Sequence, residues 1–159
     1  MINVRDGNFI LLAITLISLF FVFLLPPIPQ WSSYHQFADT RTIWGIPNFW
    51  NVVSNIAFFI VGILGLVALK REWAKGNFGS WKEVVPFFII FLGLILTAFG
   101  SSYYHLAPDN ERLVWDRIPM TLISMAVVSL ALMERVNFKV GFWSVLPLIA
   151  FGIWSVWYW

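Results

Sequence analysis

Three residues with chemically active side chains lie in one stretch of the chain, residues 100–120. Ser101 and His105 are four positions apart, so on a helix their side chains stand on one face, one turn from each other. Asp116 follows a turn-forming sequence at 108–110 and is expected near the start of the next helix. A hydroxyl, an imidazole and a carboxylate can therefore converge, and these groups serve metal binding and proton transfer.

Spacing alone also allows a purely structural interpretation of these residues. Asp116 could pair with Arg117 or Arg112, and Ser101 could hydrogen-bond a carbonyl of its own helix. His105 is a single histidine, whereas zinc sites usually need three protein ligands. Ionisable groups within membrane spans are costly, however, and such a position favours a functional role.

The composition of the chain is unusual, and it predicts what kind of secondary-structure elements position these residues. The chain is 60% hydrophobic, 19% aromatic and only 11% charged, too little polar surface to solvate a compact domain. Its formal net charge of +2 comes with no basic groove, which argues against nucleic acid as a partner. With no cysteine, disulfides and thiolate metal sites are excluded.

Five apolar runs of spanning length predict an all-α fold, a multi-pass transmembrane helical bundle that forms one membrane domain. They lie near residues 9–25, 52–69, 85–104, 113–133 and 140–159. Pro26, Pro27 and Pro29 end the first run, because proline supplies no backbone donor. A secretory signal is the alternative for that run, but no small-residue cleavage site follows it.

The connection at residues 30–51 is long, polar and rich in tryptophan and tyrosine, as functional segments at a membrane boundary often are.

Basic residues predict the orientation of the spans. Most of them lie at one end of the predicted spans: Arg5, Lys70, Arg71, Lys75, Lys82, Arg135 and Lys139. Fewer lie at the other end: Arg41, Arg112 and Arg117. The positive-inside rule then places the N-terminus in the cytoplasm and the candidate site on the opposite side.

Two sequence blocks form a distinctive pair. The first is G-S-x-x-x-H followed eleven positions later by D-x-x-P-M, here Gly100, Ser101, His105, Asp116, Pro119 and Met120. The second is N-F-W-N-V-V-S-N at 48–55. The two blocks resemble, in the same order, motifs of the alkaline ceramidase family, part of the CREST superfamily of membrane hydrolases and receptors, in which the second block leads into a helix.

This resemblance implies a seven-helix core that holds zinc through three histidines and cleaves the amide of ceramide or a related N-acyl lipid. His105 matches the first zinc ligand, and Ser101 and Asp116 match the other two site residues. The family's remaining two histidines lie on a later helix. The only other histidine here, His35, matches neither of them.

The final residues WSVWYW stay apolar and aromatic to position 159, with no cap or charged tail. We therefore expect the chain to be an N-terminal fragment of a longer protein, inactive by itself. The missing histidines would follow Trp159, and the extra first span would give the whole protein about eight helices.

The family also has a calcium site before its first core helix, built from oxygen ligands. An ungapped match places Asp39 on one of those ligands, and Asn48 stands where the family has an acidic residue. Calcium at Asp39 and Asn48 is therefore a second, weaker expectation, since one carboxylate is few for this ion.

Two other classes remain as alternatives to a lipid amidase. A receptor or scaffold related to the progestin and adipoQ receptors would share a similar grouping of Ser, His and Asp without hydrolysis. A transporter would use glycines and Pro119 for broken helices, although such glycines more often serve packing. The ceramidase hypothesis implies a membrane lipid as substrate, whereas no feature of the sequence specifies an oligomeric state.

Overall fold

The computed structural model describes residues 4–27 and 30–159, and every regular element within them is helical. The helices are α1 (Val4–Leu24), a short 3-10 helix (Ser32–His35), α2 (Phe49–Val53), α3 (Ile56–Ala74), α4 (Trp81–Leu106), α5 (Asn110–Arg135) and α6 (Phe138–Tyr158). Among the described residues four stretches are long and apolar enough to cross a membrane: Phe49–Ala74, Trp81–Leu106, Asn110–Arg135 and Phe138–Tyr158. A shorter apolar helix covers Leu12–Leu24. The predicted all-α membrane bundle is confirmed.

The chain divides into two compact units, of which the first contains α1 and the second runs from Gln30 to Tyr158. After its first turns, helix α1 is almost entirely apolar, as a helix surrounded by lipid is expected to be. It ends at Leu24, shortly before Pro26 and Pro27, whose rings lack the donors that would continue it. Pro29, the third proline of this predicted stop, lies outside the described residues.

The second predicted span is interrupted near its start, which the sequence pattern did not indicate. Helix α2 ends at Val53 and α3 begins at Ile56. At the break, the Ser54 hydroxyl and the Asn55 amide both donate to the Asn51 carbonyl, at 3.1 and 2.9 Å. Side chains of this kind compete with the backbone for helical hydrogen bonds, so a turn replaces regular helix here.

Neighbouring helices pack through small residues, because lipid provides no hydrophobic force to press helices together. A Cβ at Gly62 of α3 would lie 2.8 Å from the Phe91 carbonyl oxygen of α4. A Cβ at Gly152 of α6 would lie 2.9 Å from Met125 of α5. The buried Ser129 hydroxyl of α5 also donates to the Gly141 carbonyl of α6, at 2.8 Å. These contacts hold α3 close to α4 and α5 close to α6.

Short turns join these helices, so their directions alternate across the membrane. The α3–α4 turn contains Gly76 in the left-handed region, and only three residues, 107–109, separate α4 from α5. Asp109 caps α5 by accepting the backbone N–H of Arg112 at 2.7 Å. The C-terminal end of α4, the start of α5 and residues 30–48 consequently lie at one end of this unit.

Candidate active site

Ser101 and His105 occupy the last two turns of α4, and Asp116 lies in the second turn of α5. The turn between the helices is tied by Arg112, whose guanidinium donates to the Ala107 carbonyl at 2.6 Å and to Asp109 at 2.8 Å. Ser101 is buried, with 6% of its surface exposed, and the other two residues are half-buried. The hairpin thus brings the predicted hydroxyl, imidazole and carboxylate to the same end of two adjacent helices.

Gly100 sets the distance between these helices. A Cβ at this position would collide with the Trp115 carbonyl oxygen and would lie 3.5 Å from the Asp116 backbone nitrogen. The backbones of α4 and α5 can therefore meet here only because residue 100 has no side chain. The close approach is immediately next to Ser101 on one helix and Asp116 on the other.

Pro119 explains why this carbonyl is available for the contact. In a regular helix the Trp115 carbonyl accepts the N–H of the residue four positions later, which here is proline. The carbonyl therefore lacks that donor and faces the Gly100 backbone, where a Cα–H contact can compensate in part. Gly100 and Pro119, both members of the first sequence block, thus have a common packing role.

Asp116 does not form the ion pairs that the sequence left open. The ion pairs present within residues 4–27 and 30–159 are Asp39–Arg41, Glu72–Lys75 and Asp109–Arg112, and none includes Asp116. Arg117 donates to the Gln30 side chain at 2.9 Å and lies over the Tyr34 ring. The Asp116 carboxylate instead lies close enough to act electrostatically on His105 and Tyr104.

His105 has a buried ring nitrogen with no partner. Its Nδ1 atom is one of two buried side-chain polar atoms that lack a hydrogen bond in the described part of the chain, the other being the Ser80 hydroxyl. The Phe37 ring lies against the imidazole, with centroids 4.6 Å apart. Burying a polar atom without a partner costs free energy, so this nitrogen is a candidate for binding a group that the protein atoms do not supply.

Residues 30–48, which we call the strap, cover this end of α4 and α5. His35 is bonded through Nδ1 to the Tyr104 hydroxyl and through Nε2 to the Asn110 side-chain oxygen, both at 2.9 Å. Asn48 donates its amide to the His105 carbonyl at 2.8 Å, from a left-handed conformation that asparagine tolerates. The strap therefore orients the last turn of α4.

His35, Phe37 and Tyr104 are neighbours of the site that the sequence motifs do not indicate. Both ring nitrogens of His35 have protein partners, so this histidine has a structural role here. Tyr104 is almost fully buried and lies next to His105, although its sequence position suggested only a residue near the end of an apolar span. The available signal was the length and aromatic content of the connection at 30–51.

A family model for ceramidases matches residues 41–159. The chain belongs to the ceramidase family. No curated protein and no solved structure matches it significantly. The match includes Ser101, His105, Asp116 and Asn48, whereas α1, His35 and Asp39 precede it. Members of this family are, in general, amidohydrolases. Together with the family, the long apolar helices indicate a multi-pass integral membrane protein.

The zinc site implied by the family is only partly provided by the residues described. The unpartnered Nδ1 of His105 fits one ligand. Within residues 4–27 and 30–159, however, no three His, Cys, Asp or Glu side chains are grouped to hold a metal ion. Catalytic zinc takes three protein ligands and a water, so these residues do not complete the site.

Asp39 and Asn48, the residues expected to bind calcium, both form hydrogen bonds to protein groups. Asp39 accepts from the Arg41 side chain and from the Trp50 backbone N–H, and these two bonds lower the pKa of its carboxyl. Asn48 is bonded to the His105 carbonyl. Calcium needs six to eight oxygen ligands, and this arrangement does not fit the ion. The calcium expectation stays a prediction from the resemblance, and we derive no step from it.

The close approach at Gly100 leads to the first prediction. Gly100→Ala should separate α4 from α5 and move Asp116 away from Ser101 and His105. We expect a loss of about 1–3 kcal/mol in unfolding free energy from overpacking. A shift of about 1 Å should lower the rate on a fluorescent ceramide analogue about a hundredfold.

Gly62→Ala is the matched control, because its Cβ would meet the Phe91 carbonyl at the α3–α4 contact instead. Melting temperature and hydrolysis rate should be measured for both variants of the intact protein. A Gly100→Ala variant that keeps the parent's rate, or a rate loss no larger than that of Gly62→Ala, would contradict the proposed spacing role.

Proposed function

We propose that the protein hydrolyses the amide bond of ceramide or a related N-acyl lipid, with water as the nucleophile and zinc as the metal. The observation that supports this most directly is the juxtaposition at the α4–α5 crossing. There the buried His105 Nδ1 atom, which has no hydrogen-bond partner among the described residues, lies within electrostatic reach of the Asp116 carboxylate. Ser101 is buried one turn away on the same helix.

Each of the three side chains has a role suited to amide hydrolysis. His105 would hold the metal, which when bound lowers the pKa of water toward neutrality. Asp116 would accept a proton as water attacks the carbonyl carbon and would return it to the nitrogen when the C–N bond breaks. Ser101 would donate its hydroxyl to the carbonyl oxygen as negative charge develops there. The products are a sphingoid base and a fatty acid.

A groove beside the α4–α5 crossing supports sideways entry of the substrate from the bilayer. Its volume is about 350 Å³, within the usual range for small-molecule sites. It is lined almost entirely by apolar side chains and contains Gly100, next to Ser101: Leu96, Phe99, Gly100, Tyr103, Trp115, Ile118, Pro119 and Leu122. An acyl chain lying in this groove would bring the amide carbonyl of the lipid toward Ser101, near the C-terminal end of α4.

We further propose that this site faces away from the cytoplasm, and labelling can test the orientation. The chain has no cysteine, so single substitutions provide unique labels. Ser33→Cys in the strap should react with a membrane-impermeant maleimide applied from outside. Asn77→Cys in the α3–α4 turn should react only after permeabilisation. Both positions are exposed. The opposite pattern of labelling would reverse the predicted orientation.

Metal analysis tests the role of His105. With the two further histidine ligands that the resemblance implies, the protein should contain about one equivalent of zinc, and His105→Ala should lose both the metal and ceramide hydrolysis. His35→Ala is the control, because it removes the other histidine, whose nitrogens are bonded to Tyr104 and Asn110. We expect His35→Ala to keep its zinc. If His105→Ala kept its zinc and its activity, His105 would not be a zinc ligand, whereas a parent protein with no ceramide hydrolysis would favour the receptor hypothesis.

The Asp116→Asn variant distinguishes a catalytic role of this carboxylate from a structural role. The amide keeps the side chain's volume, so the melting temperature should change little. The hydrolysis rate should fall about a hundred- to ten-thousandfold, because proton transfer in the transition state is lost.

Asp109→Asn provides the matched comparison on the same hairpin. Asparagine can also cap α5, so this substitution should remove mainly the exposed pair with Arg112 and lower stability by less than about 1 kcal/mol, without a comparable loss of rate per folded molecule. An Asp116→Asn variant that is unstable, or one that retains the parent's rate, would show that Asp116 is not the catalytic base.

A further inference from the structure

A second groove lies at the other end of α4, between the last turns of α3 and the first turns of α4. Its volume is about 450 Å³. Because α3 runs toward the turn and α4 runs away from it, Leu66 and Phe88 line the part farthest from the turn. Trp73 and Trp81 line the part nearest to the turn. Both tryptophans are about half exposed, as at a membrane boundary.

One charged residue, Lys70, lines this groove. It forms no hydrogen bond, ion pair or ring contact within the described residues, and its side chain is exposed. The other lysines near the turn have partners: Lys75 pairs with Glu72 at 2.6 Å, and Lys82 lies over the Phe142 ring. The groove therefore combines an apolar wall within the span with one uncompensated ammonium near its end.

This combination matches the two parts of an anionic membrane lipid. We propose that the groove binds one glycerophospholipid with a net negative headgroup, its acyl chain between α3 and α4 and its phosphate at Lys70. Lysine stems lie along apolar surface while the ammonium reaches the headgroup region, and the two indoles suit the same level. This site is separate from the Ser101–His105–Asp116 cluster and does not depend on amide hydrolysis.

Charge complementarity selects an anionic lipid over a neutral one. A zwitterionic headgroup carries its own cation beside the phosphate, whereas phosphatidylglycerol leaves the phosphate charge for Lys70. One basic residue near a membrane surface favours an anionic lipid about fivefold. Arg71 is adjacent, equally without a partner among the described residues, and does not line the groove. It is therefore a control with the same loss of charge.

The test uses purified intact protein in detergent with equal amounts of phosphatidylglycerol and phosphatidylcholine that carry identical acyl chains. Native mass spectrometry measures the ratio of the two bound lipids. Lys70→Gln should lower the preference for phosphatidylglycerol about fivefold, and Arg71→Gln should change it less than twofold. Equal effects of the two variants would overturn the proposal, because the attraction would then come from general surface charge.

A second variant fills the groove without changing any charge. Val84→Trp should reduce retained phosphatidylglycerol to the level of nonspecific adducts, and its melting temperature should confirm that the variant folds.

In the parent protein, a phosphatidylglycerol with a photoreactive acyl chain should label the peptides at 66–73 and 81–88. Full lipid retention by Val84→Trp, or labelling elsewhere, would overturn the proposal. If a bifunctional cross-linking reagent joined these peptides to another helix or to a second copy, the proposal would also be overturned, because protein would then fill the groove.

Discussion

The approach of the α4 backbone to the α5 backbone at Gly100 and Trp115 is the contact on which the candidate site depends. It needs a residue without a side chain on α4 and a carbonyl on α5 that Pro119 has deprived of its usual helical donor. Ser101 and Asp116 adjoin the two sides of this contact. The glycine and the proline of the first sequence block can thus be understood from packing.

The same constraint operates throughout the second unit, because lipid replaces water as the surrounding solvent. Helices in lipid gain little from hiding apolar surface against one another, so their association relies on close packing and on hydrogen bonds between helices. Gly62, Gly141 and Gly152 provide the close packing, and the Ser129 hydroxyl provides a bond between α5 and α6. These contacts leave large apolar side chains to face the hydrocarbon, which accounts for the many exposed phenylalanines and leucines of the spans.

The two ends of α4 have opposite character. At its C-terminal end the strap supplies polar partners to the Tyr104 hydroxyl and the His105 carbonyl, yet leaves the His105 Nδ1 atom without one. At its N-terminal end aromatic and basic residues surround an apolar groove. A polar cluster that encloses an unsatisfied ring nitrogen is suited to binding and chemistry. An apolar groove with one unpaired lysine is suited to a lipid that is retained unchanged.

The sequence by itself determined the all-α membrane fold and the family. Long apolar runs in lipid leave the backbone no alternative to helix, and the spacing of Ser101, His105 and Asp116 is a local property of the sequence.

The sequence did not determine the partners of polar groups. Whether Asp116 pairs with an arginine depends on where the turn directs Arg112 and where the strap places Gln30 beside Arg117. The contacts of His35 with Tyr104, and of Asn48 with His105, join residues that are more than fifty positions apart. Only the tertiary structure decided these pairings, because hydrogen bonds require atoms within about 3 Å and sequence spacing specifies such distances only along one helix or turn.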